Sequence, residues 1–272
     1  MRHALMVGLA AALAAAPWLP AAAQTEDEVN AEFEKFRAVL EQDNPAELWE
    51  VKGEELWKKP GGPNKVSLEK CDLGLGPGVV KGAYVQMPRY FADVDRVMDA
   101  EARIVHCMIT LQGYKYEDLA KAPFSSATRT PDPVSIVTYV AAQSAGMKFA
   151  PPQRHAKEKE AYALGKEIFD FRGGPWDFAC ASCHGLEGKK RIRTQLLPNF
   201  KDPAKAIAAV QSWPGYRMTG GVMHSLQWRL NDCFRQQRLP EPGYASETLS
   251  LLLTYLTVNA SGHEYRGPGI KR

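Results

Sequence analysis

Apolar residues gather in one run at the start of the chain and recur at helical spacing in the rest. Arg2 and His3 precede an apolar stretch over 4–19, and Ala21-Ala22-Ala23 supplies an Ala-x-Ala site before Gln24. This order predicts a secretory signal peptide over residues 1–23, removed on export. The run is short for a bilayer span and Pro17 interrupts it. No later segment is apolar enough to cross, so no membrane span is expected in the mature chain. Further on, Ala161, Leu164, Ile168, Phe169 and Phe171 set a helical rhythm over 158–171, which Gly173-Gly174-Pro175 stops. Leu249, Leu252, Leu253, Tyr255 and Leu256 predict a helix over 245–258, and 227–238 reads as another. The expected fold class is mainly α.

Composition narrows the function classes. With 45% apolar and 24% charged residues among 272, a packed soluble chain is expected. The formal charge is +3, or +2 once residues 1–23 take Arg2 away, too small to argue for nucleic acid or an anionic membrane. Export changes the meaning of the five cysteines, Cys71, Cys107, Cys180, Cys183 and Cys233, because disulfides persist outside the cytosol. An odd number leaves at least one thiol over, a candidate reactive group.

The stretch Cys180-Ala181-Ser182-Cys183-His184 is a Cys-x-x-Cys-His motif, the signature of covalent haem attachment. Two thiols three positions apart can reach the two vinyl groups of one porphyrin, and the next residue then lies under the iron. A zinc site would need further Cys or His at ligand spacing, and a thioredoxin-like dithiol would need alternating strands and helices; neither is present. One haem c is therefore expected, held by Cys180 and Cys183 with His184 as an axial ligand. In class I cytochromes c the first and last helices cross beside the haem at a glycine and aromatics, and Gly165, Phe169 and Tyr255 resemble that contact.

An internal repeat widens the cytochrome to the whole chain. Gly53-x-Glu55-Leu56-Trp57 runs on to Gly61-Gly62-Pro63 as Gly165-x-Glu167-Ile168-Phe169 runs on to Gly173-Gly174-Pro175, an offset of 112 residues. The same offset sets Leu68 opposite Cys180, Cys71 opposite Cys183 and Asp72 opposite His184, a haem motif with one cysteine of two and no histidine. Pro88-x-Tyr90 and Arg103-x-x-x-Cys107 then match Pro214-x-Tyr216 and Arg229-x-x-x-Cys233 at an offset of 126, and the apolar segment 134–146 resembles 250–262. The expectation is two cytochrome c-like lobes in tandem, over 24–150 and 151–272, the N-terminal lobe without haem. Cys71 and Cys107 hold the positions that face the haem from opposite sides in the other lobe. With no haem between them they can meet, and a Cys71–Cys107 disulfide is expected.

Cys233 then stands alone. The repeat places it across the haem pocket from His184, where Met218, Met223 and His224 are the competing ligands; methionine suits simple electron transfer, and thiolate pushes electron density onto the iron. Arg229 lies four residues earlier on the same helix face, where a guanidinium favours a thiolate and can take an oxyanion in its planar fork. A free buried cysteine beside a solvated arginine is the plain alternative, and the residues alone leave both open.

The segments Cys71-Asp72-Leu73-Gly74-x-Gly76-Pro77-Gly78, Pro88-Arg89-Tyr90-Phe91-Ala92-Asp93, Phe171-Arg172-Gly173-Gly174-Pro175, Cys180–His184 and Arg229-x-Asn231-Asp232-Cys233-x-Arg235-Gln236 together resemble the SoxA family, the catalytic cytochromes of bacterial thiosulfate oxidation. The resemblance covers nearly the whole mature chain. Many members carry two haems; Leu68 and Asp72 depart from that pattern and match a one-haem type. The resemblance implies a periplasmic enzyme, an L-cysteine S-thiosulfotransferase, that pairs with a small SoxX-like cytochrome. It implies that thiosulfate is joined oxidatively to a cysteine of a SoxYZ-like carrier. It also implies that Cys233 is both distal iron ligand and sulfur-handling persulfide, and that Arg229 binds the sulfonate end of thiosulfate. Arg235, Arg238 and Lys189-Lys190-Arg191 extend the positive charge around that site. The competing function is a plain electron-transfer cytochrome with Met or His opposite His184.

Overall fold

Thr25 begins the described chain with a reciprocal cap. Its Oγ1 accepts from the Glu28 amide at 3.3 Å while the Glu28 carboxylate accepts from the Thr25 amide at 2.8 Å, starting helix α1 (Glu26–Leu40). The computed structural model describes residues 25–120, 129–185, 191–192 and 195–271, so the signal-peptide expectation over 1–23 lies outside them. All of α1 but its last residue falls in a unit ending at Val39; the other elements belong to the unit Leu40–Arg272.

In that unit α2 (Glu47–Lys58) carries Glu47 and Glu50 in its first turn and Lys58 in its last, as the helix dipole favours. A hairpin of β1 (Arg89–Phe91) and β2 (Arg96–Met98) leads into α3 (Ala100–Thr110), followed by α4 (Tyr116–Leu119) and α5 (Asp132–Ala142). Then come α6 (Ala156–Asp170), α7 (Cys180–His184), β3 (Arg191–Ile192), β4 (Gln195–Leu196) and α8 (Pro203–Val210). A second hairpin, β5 (Gly215–Arg217) with β6 (Val222–His224), leads into α9 (Leu226–Gln236), α10 (Glu247–Asn259) and β7 (Gly269–Lys271). Strand β7 joins β5 in parallel, with Gly215 opposite Gly269. About half of the described residues are helical, and every strand is short.

Some backbone features recur at fixed offsets. The bridges Gly61↔Val66 and Gly173↔Phe178 stand 112 residues apart, and the set β1, β2, α3 recurs as β5, β6, α9 at 126 residues with matching bounds. Each half has the same helix crossing. A Cβ on Gly53 would meet the Ser135 carbonyl oxygen at 2.1 Å, and one on Gly165 would meet the Leu251 carbonyl oxygen at 2.1 Å, so only glycine lets these backbones touch. Phe169 and Tyr255 pack there with ring centroids 5.1 Å apart. The apolar segment 134–146 is helical only in its first part: α5 stops at Ala142, and Gly146 turns the chain at φ 77°.

Two buried clusters follow from these crossings. One gathers Trp57, Leu68, Leu73, Ile104 and Ile136, with Cys71 and Cys107 joined through a 2.04 Å S–S bond at a Cα separation of 5.7 Å. The other gathers Phe169, Phe200, Leu252, Tyr255 and Tyr265, and takes Val85, Ala141 and Phe149 from the first half. The first cluster in turn takes Tyr244 from the second half. The halves are sewn together where α3 and α9 begin. Asp99 caps α3 and accepts from Gln227 Nε2 at 2.8 Å and from Ser250 Oγ; Glu101 accepts from the Gln227 amide at 3.3 Å and from Tyr244 Oη at 2.9 Å.

Candidate functional site

Helix α7 sets out the attachment residues. Ser182 Oγ accepts from the Ala179 amide at 3.0 Å, closing the first turn and placing Cys180, Cys183 and His184 along one short helix. The Phe200 amide donates to the His184 carbonyl at 2.9 Å, and His184 Nδ1 lies 3.0 Å from the Pro198 carbonyl. A carbonyl can only accept, so Nδ1 carries the hydrogen and Nε2 is left with its lone pair, the state an iron ligand needs. Burial holds the imidazole below its usual value, and the nearby Arg229 charge adds to the effect. Burial also pushes the Cys180 thiol up to about 12, with Cys233 the next cause.

Helix α9 brings the other half of the site. Ser225 Oγ accepts from the Trp228 amide at 3.2 Å and starts the helix, so that Arg229 and Cys233 fall one turn apart. Leu230 and Phe234 pack on the same cluster as Cys180 and Ala181, which turns α9 toward α7. Burial raises the Cys233 thiol first of all, Arg229 opposes it, and Asp232 and Cys183 reinforce it. Arg229 thus acts on both His184 and Cys233, and Cys233 acts on Cys180. Two thiols, an imidazole with a free nitrogen, a third sulfur and a cation converge. Phe171, Trp176 and Phe178 expose large apolar side chains just before the motif. This donor set and its apolar margin fit a covalently bound haem.

The competing distal ligands have surroundings of their own. Met223 is fully buried in a third cluster with Ala46 and Val134. His224 stacks on Trp228 with centroids 3.7 Å apart, and burial, aided by Arg217, takes its pKa down to about 4. Met218 is exposed after β5. Arg235 and Arg238 are exposed on the last turn of α9 and just beyond it; Lys189 and Lys190 lie outside the described residues. Among the described residues no group of three or more His, Cys, Asp or Glu forms a separate metal site. No described helix is long and apolar enough to cross a membrane.

Sequence reasoning passed over two groups. Asp232 binds Arg229, Arg235 and Gln236 at once, a pattern legible as charges three and four apart on one helix. The Pro198 carbonyl that orients His184 left no signal, because a backbone acceptor fourteen residues away depends on how the intervening chain folds.

The helix crossing and the Cys180–His184 arrangement define a c-type cytochrome. The model of the SoxA/TsdA cytochrome c domain family matches residues 52–149, the half that lacks the complete motif. The L-cysteine S-thiosulfotransferase subunit SoxA of Hydrogenophilus thermoluteolus is 43% identical over 268 residues, covering 98% of this chain and 97% of that protein. A SoxA of Hydrogenobacter thermophilus is 32% identical, covering 84% of this chain and 82% of its own. The chain belongs to the SoxA family. In fold it is similar to the crystal structure of SoxXA from P. pantotrophus, with a TM-score of 0.70 at 22% identity over 88% of this chain and 84% of that one.

Proposed function

We propose that the protein is the sulfur-handling subunit of a thiosulfate-oxidising complex, an L-cysteine S-thiosulfotransferase that works in the periplasm once residues 1–23 are removed. Its partner is a small SoxX-like cytochrome c, and its second substrate is a cysteine of a SoxYZ-like carrier. Two cytochrome c-like lobes, over 24–150 and 151–272, make up the mature chain. The matched offsets of 112 and 126 residues in the backbone support this division. The first lobe holds no haem: Leu68 and Asp72 stand in place of a cysteine and the histidine, and Cys71 is already bonded to Cys107.

Cys180 and Cys183 would hold one haem c in the second lobe, with His184 and Cys233 as the residues that would ligate its iron. When bound, that group supplies a one-electron acceptor beside the reacting sulfur. In the reaction the carrier thiol loses its proton, a sulfur–sulfur bond forms to the sulfane sulfur of thiosulfate, and two electrons pass one at a time to cytochrome c by way of the small cytochrome partner. The product is a cysteine S-thiosulfonate. Arg229 takes the sulfonate end of thiosulfate in its fork and neutralises part of its charge. Cys233 handles the sulfur as a persulfide.

The observation that carries this reading is that the Arg229 charge reaches both His184 and Cys233, while Met223 is buried in another cluster and His224 stacks on Trp228. Cys233→Ala tests it. The variant keeps its haem, because attachment uses Cys180 and Cys183, and loses thiosulfate conjugation to the carrier. A variant that conjugates at the wild-type rate would return the protein to simple electron transfer.

A further inference from the structure

Arg103 and Arg229 occupy the same place in the two halves, four residues before Cys107 and Cys233, yet they are anchored differently. Arg103 is spent on the fold: its Nε donates to the Asp72 carbonyl at 2.7 Å, its Nη1 meets Asp93 at 2.7 Å, and its guanidinium lies 4.2 Å over the Phe91 ring. Its side chain is 6% exposed. Among the described residues Arg229 gives one hydrogen bond, Nη1 to Asp232 Oδ2 at 3.0 Å, and its side chain is 32% exposed. The rest of the fork is left for a ligand. Asp232 is held in turn by Arg235 Nη2 on Oδ1 and by Gln236 Nε2 on Oδ2 at 2.6 Å, so a 10% exposed carboxylate is fixed by three donors of its own helix. At the matching place in the first half stands His106, and no acid performs this task on α3.

We propose that Asp232 is the positioning residue of the site: it grips one nitrogen of Arg229, aims the remaining donors beside Cys233, and so sets the affinity for the thiosulfate dianion. The proposal rests on the reading of Arg229 as the sulfonate-binding group. Asp232 touches no substrate. It acts by fixing a side chain that otherwise has several rotatable bonds, and it leaves the Asp232–Arg229–Arg235 triad with a net single positive charge. Without that anchor the guanidinium samples positions that miss the sulfonate, and misplacement on the scale of an ångström costs about a hundredfold in a positioned reaction.

The test is a double-mutant cycle on the haem-loaded complex with its small cytochrome, using Asp232→Asn, Arg229→Ala and the double variant. Two quantities are read: steady-state KM for thiosulfate with the carrier present, and equilibrium binding of radiolabelled thiosulfate with the carrier absent. Asp232→Asn should weaken both by about tenfold or more while leaving the KM for the carrier unchanged. In the Arg229→Ala background it should add nothing, because there is then no fork to aim. Asp232→Glu keeps a carboxylate within reach and should recover part of the loss, and it serves as the probe if the Asn variant fails to load haem. Unchanged binding, or losses that add in the double variant, would overturn the proposal. If Arg229→Ala itself binds thiosulfate normally, the reading of the site fails and the positioning role falls with it.

Discussion

Glu101 shows how one side chain can tax the whole fold. It lies buried in the first turn of α3 beside Asp99, and burial, reinforced by the Asp99 charge, raises its pKa to about 8. Burial pushes the Asp99 carboxyl up as well, but two backbone amides, Gln227 and Ser250 donate to it and oppose that rise. Glu101 has fewer donors, so Glu101 is the one that holds the proton. An unfolded glutamate titrates near ~4.3. Below that value both states carry the proton. Between it and about 8 only the folded state does, and above 8 neither does. Stability contributed by this residue therefore falls as pH rises through that window, by at most about 1.4 kcal/mol per pH unit, and then levels off. Guanidinium unfolding of the wild type and Glu101→Gln at pH 5, 6.5 and 8 measures it. The variant should lose this part of the slope, its amide donating to Tyr244 and its carbonyl accepting from Gln227. Equal slopes would show that Glu101 is ionised in the fold.

Among the elements, the two helix crossings carry most of the architecture, and both hang on a glycine. Gly165→Ala would drive a Cβ to within 2.1 Å of the Leu251 carbonyl and 3.0 Å of Tyr255 Cβ. The backbone cannot yield there without parting α6 from α10. A loss of about 1–3 kcal/mol is expected, read as a lower midpoint in thermal unfolding of the haem-loaded protein. An unchanged midpoint would mean that the crossing is looser than described. These crossings were legible in sequence because Gly53 and Gly165 recur at one offset, each followed by an aromatic and then by Gly-Gly-Pro. Helices α6, α9 and α10 were legible from apolar spacing, and the start of α1 carries its signal in the spacing of Thr25 and Glu28. The strands were not, since segments of two or three residues show no alternation to detect. The parallel pairing of β7 with β5 joins residues 54 apart through backbone atoms alone.

At the scale of the molecule, the pairing of one complete haem motif with one degenerate copy fixes the expected stoichiometry. Cys71 is bonded to Cys107, and Asp72 spends its carboxylate on the Gly74 and Gly76 amides, so positions 68–72 offer no free pair of thiols and no following histidine for a second attachment. A pyridine haemochrome assay should give one haem per chain; two would contradict the account. The candidate site was legible where chemistry sits in residue type and spacing, at Cys180, Cys183, His184, Arg229 and Cys233. It was not legible where the support is backbone or long-range, at the Pro198 carbonyl and in the Asp99–Gln227 network that aligns the start of α9. The central claim is that Cys233 faces His184 across the iron. Electron paramagnetic resonance of the oxidised, haem-loaded protein tests it most directly. The account predicts the low-spin spectrum of a thiolate-ligated haem, replaced by a different spectrum in Cys233→Ala. A histidine–methionine or bis-histidine spectrum that survives that substitution would contradict it.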